Sequence, residues 1–187
     1  MVKKRWLNRE RVIAQAAVLA NEAGRTEAVT LTALAKALDI RVPSLYNHVN
    51  GLDDLYYGLA VYGLEQLLEE LRAVNSGQVG QAALLALANA YRRFAQQQPG
   101  VYLLTIRAPD PDEEALLALS HELVQLLLLV FASVGLTGNE ALHAIRGFRA
   151  LLHGFVALEG AGGFKMDLDR EESFERLVTA YLDGLAW

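Results

Sequence analysis

The chain has 187 residues, 53% hydrophobic and 21% charged, with 15 Gly and 4 Pro, a length and composition that allow a sizeable core and exclude a disordered or collagen-like chain. It has no Cys, which excludes disulfides, thiolate metal sites and thiol nucleophiles and fits a reducing compartment. The net charge of -5 is uneven: residues 1–50 hold eight Lys and Arg against four Asp and Glu, and the rest hold nine against eighteen, as a polyanion-binding head on an acidic body would.

The first residues are basic but lack an apolar h-region and a small-residue cleavage site, so a cytoplasmic protein is expected. Helical spacing of apolar residues runs nearly throughout, and no sustained period-2 run appears, which predicts an all-α protein of about nine helices. The first spans Asn8 to Ala23, capped by Asn8 and closed by Gly24, with Ile13, Ala16, Ala17 and Ala20 on one face. Two short helices follow: one from Thr30 or Thr32 through Leu38, and one opened by Pro43 and ending near His48 or Val49.

A long helix from Leu52 to Val74 carries Asp53 and Asp54 in its first turn, where negative charge suits the helix dipole. Further helices are expected over Gln78–Gln97, Val101–Ile106, Glu113–Val134, Asn139–Glu159 and Arg170–Leu185, separated by Pro and Gly signals. The most apolar stretch, Ala115 to Leu136, is interrupted by Ser120, His121, Glu122, Gln125 and Ser133 and reads as a buried core helix, so no membrane partner is expected.

Thr30 to Leu55 reads TLTALAKALDIRVPSLYNHVNGLDDL, a short amphipathic helix, a tight turn at Asp39–Arg41 and a second short helix: a helix-turn-helix pattern. Leu34, Ala35 and Leu38 face the space between the helices, and Ile40 and Leu45 fill it from the other side. Asp39 stands where many such turns place Gly, and Asp tolerates left-handed backbone better than most residues.

Thr30, Leu34-Ala35, Leu38, Pro43, Leu45-Tyr46, His48 and Asp54-Leu55 resemble the DNA-binding end of the TetR family of bacterial one-component regulators. A second stretch, LLHGFVALEGAGGF from Leu151 to Phe164, resembles the C-terminal domain of a subgroup named for a Trp-His-Gly signature, with Leu152 in place of the Trp. The resemblance implies a DNA-binding domain over residues 1–51 and a ligand-binding and dimerisation domain over 52–187. It implies that the second short helix enters the major groove, with Arg41, Val42, Pro43 and Ser44 facing bases and Thr32 touching DNA from the preceding helix. Tyr46 and His48 match positions that contact the phosphate backbone in this family, and Lys36 adds a mobile cation. Leu52 departs from the Lys that many members place there, leaving helix N-H groups to meet a phosphate. Lys3, Lys4 and Arg5 precede the first helix and are expected to reach neighbouring phosphates as an arm.

In the body, Gly147, Ala150, Gly154 and Ala157 form a small-residue stripe beside Phe148, Leu151, Leu152 and Phe155. The last helix presents Phe174, Leu177, Val178, Tyr181, Leu182 and Leu185 on one face. The resemblance implies that these two helices build a homodimer, for which Gly147, Phe148, Leu151, Gly154, Phe155, Phe174, Leu177, Val178 and Tyr181 are the candidates. Tyr62, Tyr91, Phe94, Tyr102, His121, Gln125 and His143 are candidates to line the pocket of a small-molecule effector.

No catalytic constellation and no metal-ligand spacing appears: His121-Glu122 lacks the second His of HExxH, and GAGG at Gly160–Gly163 has no P-loop Lys and reads as a helix cap and loop. The sequence therefore points to a regulator, expected to be a repressor released from a palindromic double-stranded DNA operator by a small, largely apolar effector, with no catalytic residue, metal or cofactor. The competing reading is a helical small-molecule-binding or scaffolding protein without a transcriptional role, and salt-dependent, sequence-selective duplex binding separates the two.

Overall fold

In a computed structural model the described residues, 7–185, form nine α-helices and no strand. They are α1 (Arg9–Ala23), α2 (Leu31–Ala37), α3 (Val42–Leu45), α4 (Leu52–Asn75), α5 (Gly80–Gln97), α6 (Pro99–Tyr102), α7 (Glu114–Ala132), α8 (Gly138–Gly160) and α9 (Arg170–Asp183), with 3-10 turns at Thr26–Ala28 and Leu103–Thr105. Lys3, Lys4 and Arg5 lie outside the described residues.

The helix punctuation follows local chemistry. Asn8 accepts from the Arg11 N-H at 3.0 Å, and Gly24 closes α1 at φ 67° with its N-H on the carbonyls of Ala20 and Asn21. Thr30, rather than Thr32, caps α2 by accepting from the Ala33 N-H at 3.1 Å. Two expected helices are shorter than their patterns: α3 stops at Leu45 and continues as turns, and Val101–Ile106 divides into α6, which Pro99 opens two residues early, and a 3-10 turn over Leu103–Thr105.

The chain divides into two compact units. Described residues up to Gln66, together with Gln97–Leu119, form the first, and Leu67–Gln96 with the described residues from Ser120 onward form the second. In the first, Val12, Ile13, Ala16, Ala17 and Ala20 of α1 are buried together with Leu34, Leu45, Leu55 and Leu59. α6 is seated on the end of α1: the Gly100 N-H donates to Asn21 Oδ1 at 2.9 Å, the Asn21 amide donates to Gln98, and the Thr26 hydroxyl donates to the Gly100 carbonyl. A Cβ on Gly100 would overlap the backbone of Ala20, so this approach requires glycine.

The second unit is organised around an arginine. Arg92 of α5 donates from Nε and Nη2 to both oxygens of Glu159 at 2.9 and 2.7 Å, and from Nη1 to Glu171 at 2.7 Å, tying α5 to the end of α8 and the start of α9. Its side chain is 4% exposed and that of Glu159 is 9% exposed. The guanidinium carbon lies 5.3 and 4.9 Å from the ring centres of Phe155 and Phe174, whose faces favour the cation. Both charge and donors are thus satisfied, which burial demands.

The reading of Ala115–Leu136 as a buried core helix is corrected. α7 buries Leu116, Leu127, Val130 and Phe131, but Leu117, His121, Glu122, Gln125 and Leu129 are exposed, because a single stripe of the helix meets the interior. Among the described residues α7 is long and apolar enough, by length and composition, to cross a bilayer. GAGG forms a cap and loop, with Gly162 at φ 67° and the Gly163 N-H donating to Leu158 at 2.7 Å.

Candidate nucleic-acid interface

The helix-turn-helix is built from the inside out. Leu34, Ala35 and Leu45 are buried and Leu38 and Ile40 half-buried, so the pair of helices closes over a small apolar seam. Asp39 has φ 53°, the one non-glycine with positive φ among the described residues, and the Ile40 N-H then reaches the Ala35 carbonyl at 3.0 Å. Asx side chains are among those that tolerate this region, which is why no glycine is needed for the turn.

With the seam closed, the polar side chains lie outside. Thr32, Lys36, Arg41, Pro43 and Tyr46 are exposed, and Val42, Ser44 and His48 are half-buried. Tyr46 is 56% exposed, which a packed core aromatic would not be, and its hydroxyl is available to a phosphate. Arg41 stands at the N-cap position of α3 and is exposed, which leaves its guanidinium open to solvent. Leu52, the first residue of α4, is also exposed and supplies no cation.

The base of this reading unit is fixed by Arg9 and Asp54, a pair that charge counting does not reveal. Arg9 donates from Nη1 to Asp54 Oδ2 at 2.8 Å and from Nη2 to Oδ1 at 2.6 Å, and Nη1 also donates to the His48 carbonyl at 2.9 Å. Asp54 Oδ2 accepts in addition from the Asn50 N-H at 2.7 Å. The hydrogen bonds from Arg9 hold the Asp54 carboxyl below the usual carboxylate range, with the Asn50 N-H adding to the effect.

The candidate effector and dimer residues have diverse settings. Tyr91, Phe94 and Tyr102 are buried, Tyr62 is half-buried, and His121, Gln125 and His143 are exposed. His143 lines a cavity of about 400 Å³ with Glu140, Ala144, Ala180, Tyr181, Gly184 and Leu185. Of the dimer candidates, Phe148, Phe155, Phe174 and Val178 lie in the core of their own protomer: Phe148 meets Phe131 edge to face at 5.7 Å, and Phe155 meets Phe174 at 5.0 Å. Gly147 accommodates Tyr181, whose hydroxyl donates to the Ala144 carbonyl at 2.6 Å. Leu151 is half-buried, while Gly154 and Leu177 are exposed. Sequence reasoning missed Arg92 and Glu159. The one available signal was an arginine on the apolar stripe of α5, beside Tyr91 and at four-residue spacing from Ala88.

Comparison with known proteins matches this arrangement. The model of the family described as "Tetracyclin repressor-like, C-terminal domain" matches residues 84–181. The HTH-type transcriptional regulator YobS of Bacillus subtilis is 35% identical over 181 residues, covering 96% of this chain and 93% of its own. The HTH-type regulator Rv0681 of Mycobacterium tuberculosis is 32% identical over 180 residues, covering 96% and 82%. A crystal structure of the regulatory protein SCO4313 superposes with a TM-score of 0.73 and 27% identity, covering 94% of this chain and 97% of that one. Relatives of this kind are transcriptional regulators, not enzymes. With an exposed, capped helix-turn-helix on an all-helical body and close relatives across nearly its whole length, the chain belongs to the TetR family of DNA-binding transcriptional regulators.

Proposed function

We propose that the protein is a homodimeric one-component repressor that leaves a palindromic operator when a small, largely apolar effector enters its body. The observation that carries this reading is the ring of exposed groups on the helix-turn-helix, Thr32, Lys36, Arg41, Pro43 and Tyr46, around a seam already closed by its own apolar residues. Residues 1–51 read DNA and residues 52–187 hold the effector and the second subunit, in the cytoplasm.

Roles follow from side-chain chemistry. Arg41 meets a guanine edge or a phosphate, Ser44 donates or accepts at a base, and Val42 and Pro43 make apolar contact with thymine methyls. Tyr46, His48 and Lys36 hold the phosphate backbone, and Thr32 adds a contact from α2. In a two-fold dimer the reading helices stand about 34–36 Å apart, one turn of DNA, which makes the operator palindromic. Exposed Gly154 and Leu177 support pairing through α8 and α9.

The effector candidates are Tyr62, Tyr91, Phe94, Tyr102, His121, Gln125 and His143. An effector releases DNA only by preferring the conformation with displaced reading heads, and DNA must then weaken the effector by the same factor. α4, which begins at the reading head and runs on through residue 75, is the covalent lever. The test is sedimentation of the purified protein with and without duplex carrying its selected operator, followed by a screen of small apolar molecules for release. A dimer that binds one palindrome and is released by an effector with reciprocal loss of affinity is expected. A monomer, or a dimer indifferent to duplex sequence, contradicts the reading.

A further inference from the structure

Arg9 is one of the eight cations of residues 1–50, and on charge alone it belongs with the groups that attract DNA. Its geometry says otherwise. Both terminal nitrogens are engaged, one forked onto Asp54 and shared with the His48 carbonyl, the other on the second Asp54 oxygen. Asp54 in turn holds the Asn50 N-H. Three separate pieces of backbone therefore converge on one ion pair: the start of α1, the turns that follow α3, and the first turn of α4.

The surroundings preserve that convergence. Gly58 of α4 lies against α1, where a Cβ would overlap Ile13 and come within 3.4 Å of the Arg9 guanidinium. Pairing is bidentate, which fixes direction as well as distance, as a lysine ammonium does not. The turns after α3 are otherwise held by the His48 and Val49 N-H groups on the Leu45 carbonyl, bonds internal to the turns. Together with the buried side chains of Leu45 and Val49, the fork relates them to the helices on either side.

We propose that Arg9 and Asp54 are positioning residues for DNA reading: their fork sets the orientation of α3 relative to α1 and α4, and it acts without contact to base or phosphate. This rests on the operator-binding role proposed above. The fork is also where a displacement of the first turn of α4 reaches the reading helix, since Asp54 moves with α4 and carries Arg9, the His48 carbonyl and the Asn50 N-H with it.

The experiment compares wild type with Asp54→Asn and Arg9→Lys, both on the selected operator and on random duplex across a salt series, and follows amide exchange at Asn50 in DNA-free protein. Asp54→Asn removes a negative charge from the head, so bulk electrostatics predicts tighter binding. Arg9→Lys keeps the charge. The fork predicts the reverse of electrostatics for the first and a loss for the second: operator affinity falls about tenfold in each, while random-duplex affinity does not fall and the salt slope is kept. Exchange at Asn50 accelerates in both. A merely structural role would lower specific and random binding together, and a direct phosphate contact, which a lysine ammonium can also make, would leave Arg9→Lys close to wild-type operator affinity. Variants that bind the operator as tightly as wild type, or more tightly, overturn the positioning role and leave the operator reading intact. A wild type that selects no duplex overturns the operator reading and the fork's role with it, whatever the exchange rates.

Discussion

Two of the arginine forks, one at the helix-turn-helix and one in the second unit, differ chiefly in burial. Arg9 grips Asp54 at the edge of the reading head with side chains 42% and 23% exposed, whereas Arg92 grips Glu159 and Glu171 within the second unit with 4% of its own side chain exposed. The hydrogen-bond chemistry is nearly the same, yet the energetic consequence is not. An exposed pair is screened by water and contributes between nothing and about 1 kcal/mol, while removal of one member of a buried pair leaves an uncompensated charge and costs about 3–5 kcal/mol. The helix-turn-helix end is thus held by a fork whose loss costs little, and the second unit by one whose loss costs much.

The largest effect expected from this contrast is at Arg92. Arg92→Met keeps most of the aliphatic stem but strands the Glu159 carboxylate, and denaturant unfolding should show a loss of roughly 3–5 kcal/mol. A loss below about 1 kcal/mol, the range of exposed pairs, would remove the distinction between the forks. Next is Gly100→Ala, which places a methyl on the Ala20 backbone and should cost about 1–3 kcal/mol by unseating α6 from α1. An unchanged melting temperature would show that α6 is not held as described.

Acid provides a third probe of the buried fork. The hydrogen bonds from Arg92 keep the Glu159 carboxyl below its ordinary range, and burial opposes this without reversing it. A group with a lowered folded pKa stabilises above its unfolded pKa, about 4.3, and that contribution disappears as pH falls through the folded value. Stability should therefore fall on acidification below about pH 4.3, and Glu159→Gln should flatten part of that slope while lowering stability at neutral pH. An acid slope identical in wild type and variant would mean that Glu159 does not titrate as its setting requires.

The smallest stability effect is expected at Tyr46. Because the ring is largely exposed, Tyr46→Ala should change unfolding free energy by less than about 0.5 kcal/mol. Loss of one phosphate hydrogen bond should nevertheless weaken operator binding by about 0.5–1.5 kcal/mol, measured on duplex at fixed salt. Full affinity in a folded variant would remove Tyr46 from the interface.

The parts of the structure written in short-range chemistry were legible. Asn8 and Gly24 mark the ends of α1 as their types require, and the apolar spacing of Leu34, Ala35 and Leu45 places the seam of the helix-turn-helix. Asp39 was recognisable as a residue suited to a left-handed turn, and φ 53° bears that out. What was not legible depends on partners far apart in the chain. Arg92 lies 67 residues from Glu159 and Arg9 lies 45 from Asp54, so a lone charge gives no sign that a carboxylate awaits it. Asp54 was readable as a charge suited to a helix N-terminus, which is the lesser half of what it does. α7 misled for the opposite reason: overall apolarity does not state how many of its sides face protein, and one stripe suffices.

The most direct test of the central claim is selection of random duplex DNA by the purified protein, followed by binding of the enriched duplex across salt concentrations. A palindromic consensus whose affinity falls steeply with salt is expected of a dimer that reads bases through α3 and grips phosphates around it. A folded protein that enriches no sequence and binds every duplex weakly and alike would contradict it.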